Sequence, residues 1–74
     1  MDKLEKWLRL EEEARKIRFE NADWEFIEKQ PPRIRAALKY YIVTGDIRKA
    51  SKIALMNIED FRNLLRKANI PVVV

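Results

Sequence analysis

Near the end of the chain, Arg62 and Asn63 stand three and four residues after Glu59, and Arg66 four and three after them, a spacing that lines the four along one side of a helix. Their shared chemistry is hydrogen bonding to flat polar edges. Arginine presents two parallel donors that match guanine, the asparagine amide matches adenine, and a carboxylate accepts from cytosine. Lys67 lies beside this stripe, and Arg48, Lys49 and Lys52 form a second basic set one segment earlier. Arg33, Arg35 and Lys39 form a third. Such cations suit phosphates, which position a protein on a duplex without reading its bases. Glu59 and Asp60 point the other way. They suit the positive end of a helix but repel phosphate. The same residues therefore also fit a helix tuned only for its own electrostatics, with no nucleic acid involved.

Enzyme chemistry has little to build on. The chain has no cysteine and no histidine, so it has no thiolate, no disulfide and no imidazole base. Glu20, Asp23, Glu25 and Glu28 gather in one stretch, but acid–base work needs such groups in a concave, desolvated site. Here they alternate with Trp24, Phe26 and Ile27, so a solvated face is the better account. A magnesium site there would lack a supporting motif. The reading is a protein that is not an enzyme, with no metal and no cofactor.

Something must hold the basic stripes in place, and 74 residues allow one domain with a modest core. Without disulfides or metals, stability has to come from well-packed helices or a partner chain, which suggests a homodimer. Residues 1–30 carry seven Lys/Arg and nine Asp/Glu, net −2; residues 31–74 carry nine and three, net +6. A basic half of this size points to an anionic partner, double-stranded DNA first, against the alternative of a surface charged for solubility. The opening MDKLEKWLRL mixes charge with apolar residues, unlike a signal peptide, and no segment approaches a membrane span. The expectation is a cytoplasmic protein without membrane contact. Abundant Lys, Arg and Glu beside a single glycine fit a thermophile.

The apolar pattern predicts an all-α fold of about five helices. Asp2 can cap a long first helix from Lys3 to about Glu20, whose Trp7, Leu10, Ala14 and Ile17 alternate at three and four, with Leu4 and Leu8 widening the stripe. Packing on its own domain is the expected role of this stripe; a short coiled-coil seam is the alternative. Trp7 and Trp24 are read as core anchors, or else as dimer hot spots. Glu11 to Arg15 and Glu12 to Lys16 have the spacing of helix-surface ion pairs. After a break at residues 21–23, a short second helix ends near Lys29, before Pro31 and Pro32. The third runs from Pro32 to Thr44, burying Ile34, Ala37, Leu38, Tyr41 and Ile42, and Gly45 ends it. Asp46 caps a fourth helix, from Ile47 to Ala54 or Leu55, with Ile47, Ala50, Ile53 and Ala54 inward. Asn57, with Asp60 at the third position, caps a fifth from Ile58 to about Ala68, burying Phe61, Leu64, Leu65 and Ala68. Residues 70–74 read as an extended tail.

From Asp46 to Ala68 this is the grammar of a helix-turn-helix, completed by the third helix as a tri-helical core. The organisation expected is a helical arm (1–30), a helix-turn-helix core (31–69) and a tail (70–74). The leading function is DNA binding in transcription regulation, with the fifth helix in the major groove. The alternative is a protein-interaction module of the same shape that binds no DNA. Trp7, Leu10, Ile17, Val72, Val73 and Val74 are the candidate dimer or partner surface; the valines are β-prone and could pair with another chain or pack on the protein's own helices.

The residues from Leu38 through Tyr41, Thr44-Gly45-Asp46-Ile47-Arg48-Lys49-Ala50-Ser51, Ala54-Leu55-Met56-Asn57, Phe61, Leu64-Leu65 and Ile70-Pro71-Val72 resemble a family of small prokaryotic antitoxin-like proteins. The resemblance covers about half the chain. The family is common in archaea and includes predicted partners of PIN-domain ribonuclease toxins, so the resemblance implies an archaeal antitoxin-like regulator with a possible toxin partner. Two positions depart from the pattern: Leu55 stands where the turn usually has glycine, and Asn69 where glycine usually precedes Ile70. The family also often opens with a strand, whereas this chain opens with a long helical pattern.

Overall fold

The computed structural model describes residues 3–72; Asp2, Val73 and Val74, and with them the expected first cap and the end of the tail, lie outside the described residues. Five helices follow one another: α1 (Lys3–Asn21), α2 (Trp24–Glu28), α3 (Pro32–Thr44), α4 (Ile47–Ala54) and α5 (Ile58–Lys67). The fold is all-α, and no strand occurs among the described residues.

Each boundary has a local cause. The Asp23 carboxylate accepts from Phe26 N at 3.1 Å and opens α2, and Pro32 sits in the first turn of α3, where a missing N–H costs nothing. Asp46 accepts from Lys49 N at 3.1 Å to start α4, and Asn57 accepts from Asp60 N at 2.8 Å to start α5. Only this half of the expected capping box forms; the exposed Asp60 carboxylate makes no bond back to Asn57. Gly45 ends α3 with φ +71°. It is doubly constrained, because a Cβ there would lie 3.1 Å from Arg18 Nη1.

Two further residues take the left-handed backbone without being glycine, Leu55 and Asn69, both at φ 57°. Leu55 ends α4, and its N–H bonds back to the last turn. Asn69 follows α5 and donates from Nδ2 to Asn21 O at 2.9 Å. With Asp23 N donating to Ala68 O at 2.8 Å, this ties the α1–α2 break to the end of α5. A left-handed leucine is strained by about 1–2 kcal/mol.

Much of the core is where the pattern places it, though Ile34, Ile47, Ile53 and Leu64, expected inward, are only partly buried. Ile27, Ala37, Leu38, Tyr41, Ile42, Ala50, Ala54, Phe61, Leu65, Ala68 and Ile70 are buried. Ala50 and Ala54, having no bulk, let α4 lie close on its neighbours, and the Tyr41 ring meets Phe61 edge-on at 6.3 Å between centroids. Leu64, Ile34, Ile47, Ile53 and Val72 pack at the margin. For the described part of the tail, Val72 thus lies against the protein's own core.

α1 departs most from expectation. Its apolar stripe does not pack on the domain. Leu4, Trp7, Leu8, Leu10 and Ile17 are exposed, Leu4 by 65% and Trp7 by 59%. Trp7 is not a core anchor; Trp24 is half-buried, donating from Nε1 to Phe19 O at 3.0 Å. At 1.5 Å per residue the helix is about 28 Å long, in a molecule that measures 44 Å along its long axis against 23 and 18 Å across.

Arginines, not leucines, fasten α1 to the rest. Arg18 is 4% exposed and donates from Nε to Ile42 O at 2.9 Å. Arg15 donates from Nε to Val43 O at 2.9 Å. Both carbonyls belong to the last turn of α3, which has no basic residue of its own. Two cations from α1 therefore satisfy orphan carbonyls at the negative end of α3. Arg18 also lies 5.7 Å from the Tyr41 ring centroid, close enough for a cation–π attraction. Its Nη2 is 3.9 Å from Glu11 Oε1, an ion pair without a hydrogen bond. The expected pairs within α1 do not form, because Arg15 is drawn to α3, Glu11 lies by Arg18, and Lys16 lies 3.9 Å from Glu20.

Candidate nucleic-acid interface

The α4–turn–α5 pair presents the expected residues outward. In α5, Phe61 and Leu65 turn to the core, while Glu59, Arg62, Asn63, Arg66 and Lys67 are exposed. Acidic residues fill the first turn and Arg66 and Lys67 the last, as the helix dipole favours. In α4, burial of Ala50, Ser51 and Ala54 turns Arg48, Lys49 and Lys52 to solvent.

The three basic clusters differ in how free they are. On α3, Lys39 pairs with Glu28 at 3.0 Å, and Arg35 is half-buried, its Nη1 donating weakly to Glu28 O at 3.4 Å. Two of these three cations are thus engaged with α2, and the third, Arg33, is exposed and without an ion pair among the described residues. Arg48, Lys49 and Lys52 on α4 and Arg66 and Lys67 on α5 are exposed, and no ion pair among the described residues holds them. Arg62 is intermediate, 3.7 Å from Glu59. An anion approaching α4 and the second half of α5 meets cations that need not first break an existing pair.

Arg62 and Arg66 share a second environment that sequence alone does not suggest. They line an open groove of about 330 Å³ with Asn21, Asn69, Ile70, Pro71 and Val72. The positive charge of Arg62 also reaches Tyr41, whose hydroxyl is pushed above its usual pKa by burial and pulled part of the way back by Arg18 and Arg62. The only hint of this groove in the sequence is Asn69 at the end of the last amphipathic stretch, where a helix terminus needs a cap. Arg18, the residue sequence reasoning missed most completely, carries no signal, since a lone arginine among charged neighbours looks solvated.

The carboxylates weighed for acid–base or magnesium chemistry are separately occupied. Glu25 pairs with Lys29 at 3.2 Å, Glu28 with Lys39 and Glu20 with Lys16, while Asp23 caps α2. Among the described residues, no group of three or more His, Cys, Asp or Glu could hold a metal ion. No helix among them is long and apolar enough to cross a membrane. No family model matches this chain, and neither a curated protein nor a solved structure matches it.

Proposed function

We propose that this protein binds double-stranded DNA through the α4–turn–α5 unit, with α5 in the major groove, as a transcriptional regulator of the antitoxin-like kind. The observation that carries this reading is that Arg48, Lys49, Lys52, Arg66 and Lys67, on two helices joined by a tight turn, are exposed and unpaired among the described residues. In this reading α4 contacts phosphates, Asn63 and Arg66 reach base edges, and Arg62 joins them by leaving Glu59. The acidic first turn of α5 limits how its N-terminal end can approach the backbone, so Glu59 would face a cytosine amine rather than a phosphate. The resemblance to the antitoxin-like family draws support from the backbone: Leu55 and Asn69, its two departures from glycine, both occupy left-handed positions that glycine suits best.

A mobility shift or anisotropy titration on duplex DNA at several salt concentrations tests this. Binding should weaken steeply with salt, because each phosphate contact releases a counterion. Replacing Arg48, Lys49 and Lys52 together with Ala should flatten the salt slope by roughly one per cation removed. Asn63→Ala with Arg66→Ala should lower affinity and relax sequence preference. Absence of binding even at low salt overturns the reading and leaves a protein-interaction module, for which Leu55, 73% exposed on the turn, is the residue to probe first.

A further inference from the structure

The free half of α1 remains unaccounted for, and it is built as a seam. We propose that residues 3–14 form a self-association arm, in which the α1 helices of two copies pair antiparallel, with Trp7 of each over Leu10 of the other. This goes beyond the DNA-binding reading and does not depend on it.

Three observations lead there. The apolar positions Trp7, Leu10 and Ala14 follow the alternating three–four spacing of a coiled-coil seam, and on this free part of the helix none is buried. Lys6 and Glu13 flank the seam on the same side, one before Trp7 and one before Ala14, and neither forms an ion pair among the described residues. Beyond Ala14 the helix is fastened to α3 by Arg15 and Arg18, so the arm has a rigid root and a free tip.

The charges choose the occupant. Setting Trp7 opposite Leu10 of an antiparallel second copy puts Lys6 diagonally across the seam from Glu13, two residues off level and within side-chain reach, and the two-fold axis repeats the pair. Lys3 then falls opposite Ala14, so each tip ends where the other chain's root begins. A parallel, in-register pairing fares worse. It stacks Trp7 on Trp7, and the partners it offers Lys6 and Glu13 are Glu11 and Arg18, which already pair with each other within the chain, Arg18 being buried. A second copy also brings to the arm a helix with the same need to cover its tryptophan and leucines, which isologous association satisfies on both sides at once.

Sedimentation equilibrium on the full chain, from micromolar to millimolar, should show a monomer–dimer equilibrium. Lys6→Glu alone should weaken it by about tenfold, because both symmetric pairs become repulsive together. Glu13→Lys alone should do the same, and the double variant should restore it. Circular dichroism of each variant checks that the helices persist, and Trp7→Ser serves as a second disruption at an exposed position. Direction is read by oxidation, since the chain has no cysteine of its own. Lys6→Cys mixed with Glu13→Cys should give the mixed disulfide dimer, and each alone little. A monomer throughout overturns the proposal. So does a double charge swap that fails to restore association, or a Lys6→Cys variant that crosslinks efficiently to itself.

Discussion

Leu10 and Leu65 are the same residue type, each on the apolar side of an amphipathic helix, yet Leu10 is 56% exposed and Leu65 fully buried. The contrast runs through the molecule. In α3, α4 and α5 every strongly apolar face finds another, and the three helices close round Phe61, Leu38 and Ile42. In the first half of α1 a looser apolar stripe projects from the domain, and among the described residues its Leu4, Trp7, Leu8 and Leu10 stay exposed. An apolar face states that something should cover it and is silent about what. In the core, short connections bring the neighbouring face within reach; at the arm, the helix outruns the domain it is rooted in.

Mutation should separate the two regions sharply. Phe61→Ala empties the centre of the core and should cost about 3–5 kcal/mol, a large part of the stability a domain this small can have. Trp7→Ala, in the arm, should leave the denaturation midpoint of the monomer unchanged. Chemical denaturation of both variants at low protein concentration makes the comparison, and an equal loss in the two would mean that the arm is part of the cooperative core after all.

The root between the regions should come next. Arg18→Met keeps much of the side chain's bulk but strips the Ile42 carbonyl of its charged donor, and should cost about 1.5–3 kcal/mol. Hydrogen exchange should then rise first in α1 and in the last turn of α3. If instead α1 stays as protected as before, packing rather than the arginine anchors it.

A smaller effect, of opposite sign, is expected at the turn. Leu55→Gly relieves a left-handed leucine that is mostly exposed, and should stabilise by about 0.5–1 kcal/mol after glycine's greater freedom in the unfolded chain is set against the relief. A raised melting temperature with unchanged DNA affinity would assign the strain to the fold. A fall in binding to some partner would assign Leu55 a contact.

The smallest effect is alkaline. Burial raises the Tyr41 pKa above 10.0 in the folded state. The folded chain then holds its phenolic proton where the unfolded chain has released it, so stability is intact below pH 10 and falls as pH rises through that value towards the folded pKa. Tyr41→Phe should flatten this part of the stability–pH curve. The same slope in both proteins would assign alkaline unfolding to the lysines.

Much of this protein is written locally. Asp23, Asp46 and Asn57 open helices because their short side chains accept backbone bonds, Pro31 and Pro32 stop one helix and start another, and Gly45 closes α3 by allowing positive φ. The core of α3, α4 and α5 follows from apolar residues at helical spacing, and so does the outward turn of Arg48, Lys49, Lys52, Asn63 and Arg66. The tertiary structure decided what periodicity cannot encode. Lys39 and Arg35 are turned to Glu28 of α2, which lowers their availability to phosphate. Arg15 and Arg18, spaced like residues of a solvated surface, reach 28 and 24 residues along the chain to cap α3. Most of all, it decided that the stripe of α1 stays uncovered. A helix pattern fixes which residues share a face, because that depends on 3.6 residues per turn; which faces meet depends on where the chain's turns send each helix, and only the assembled molecule answers that.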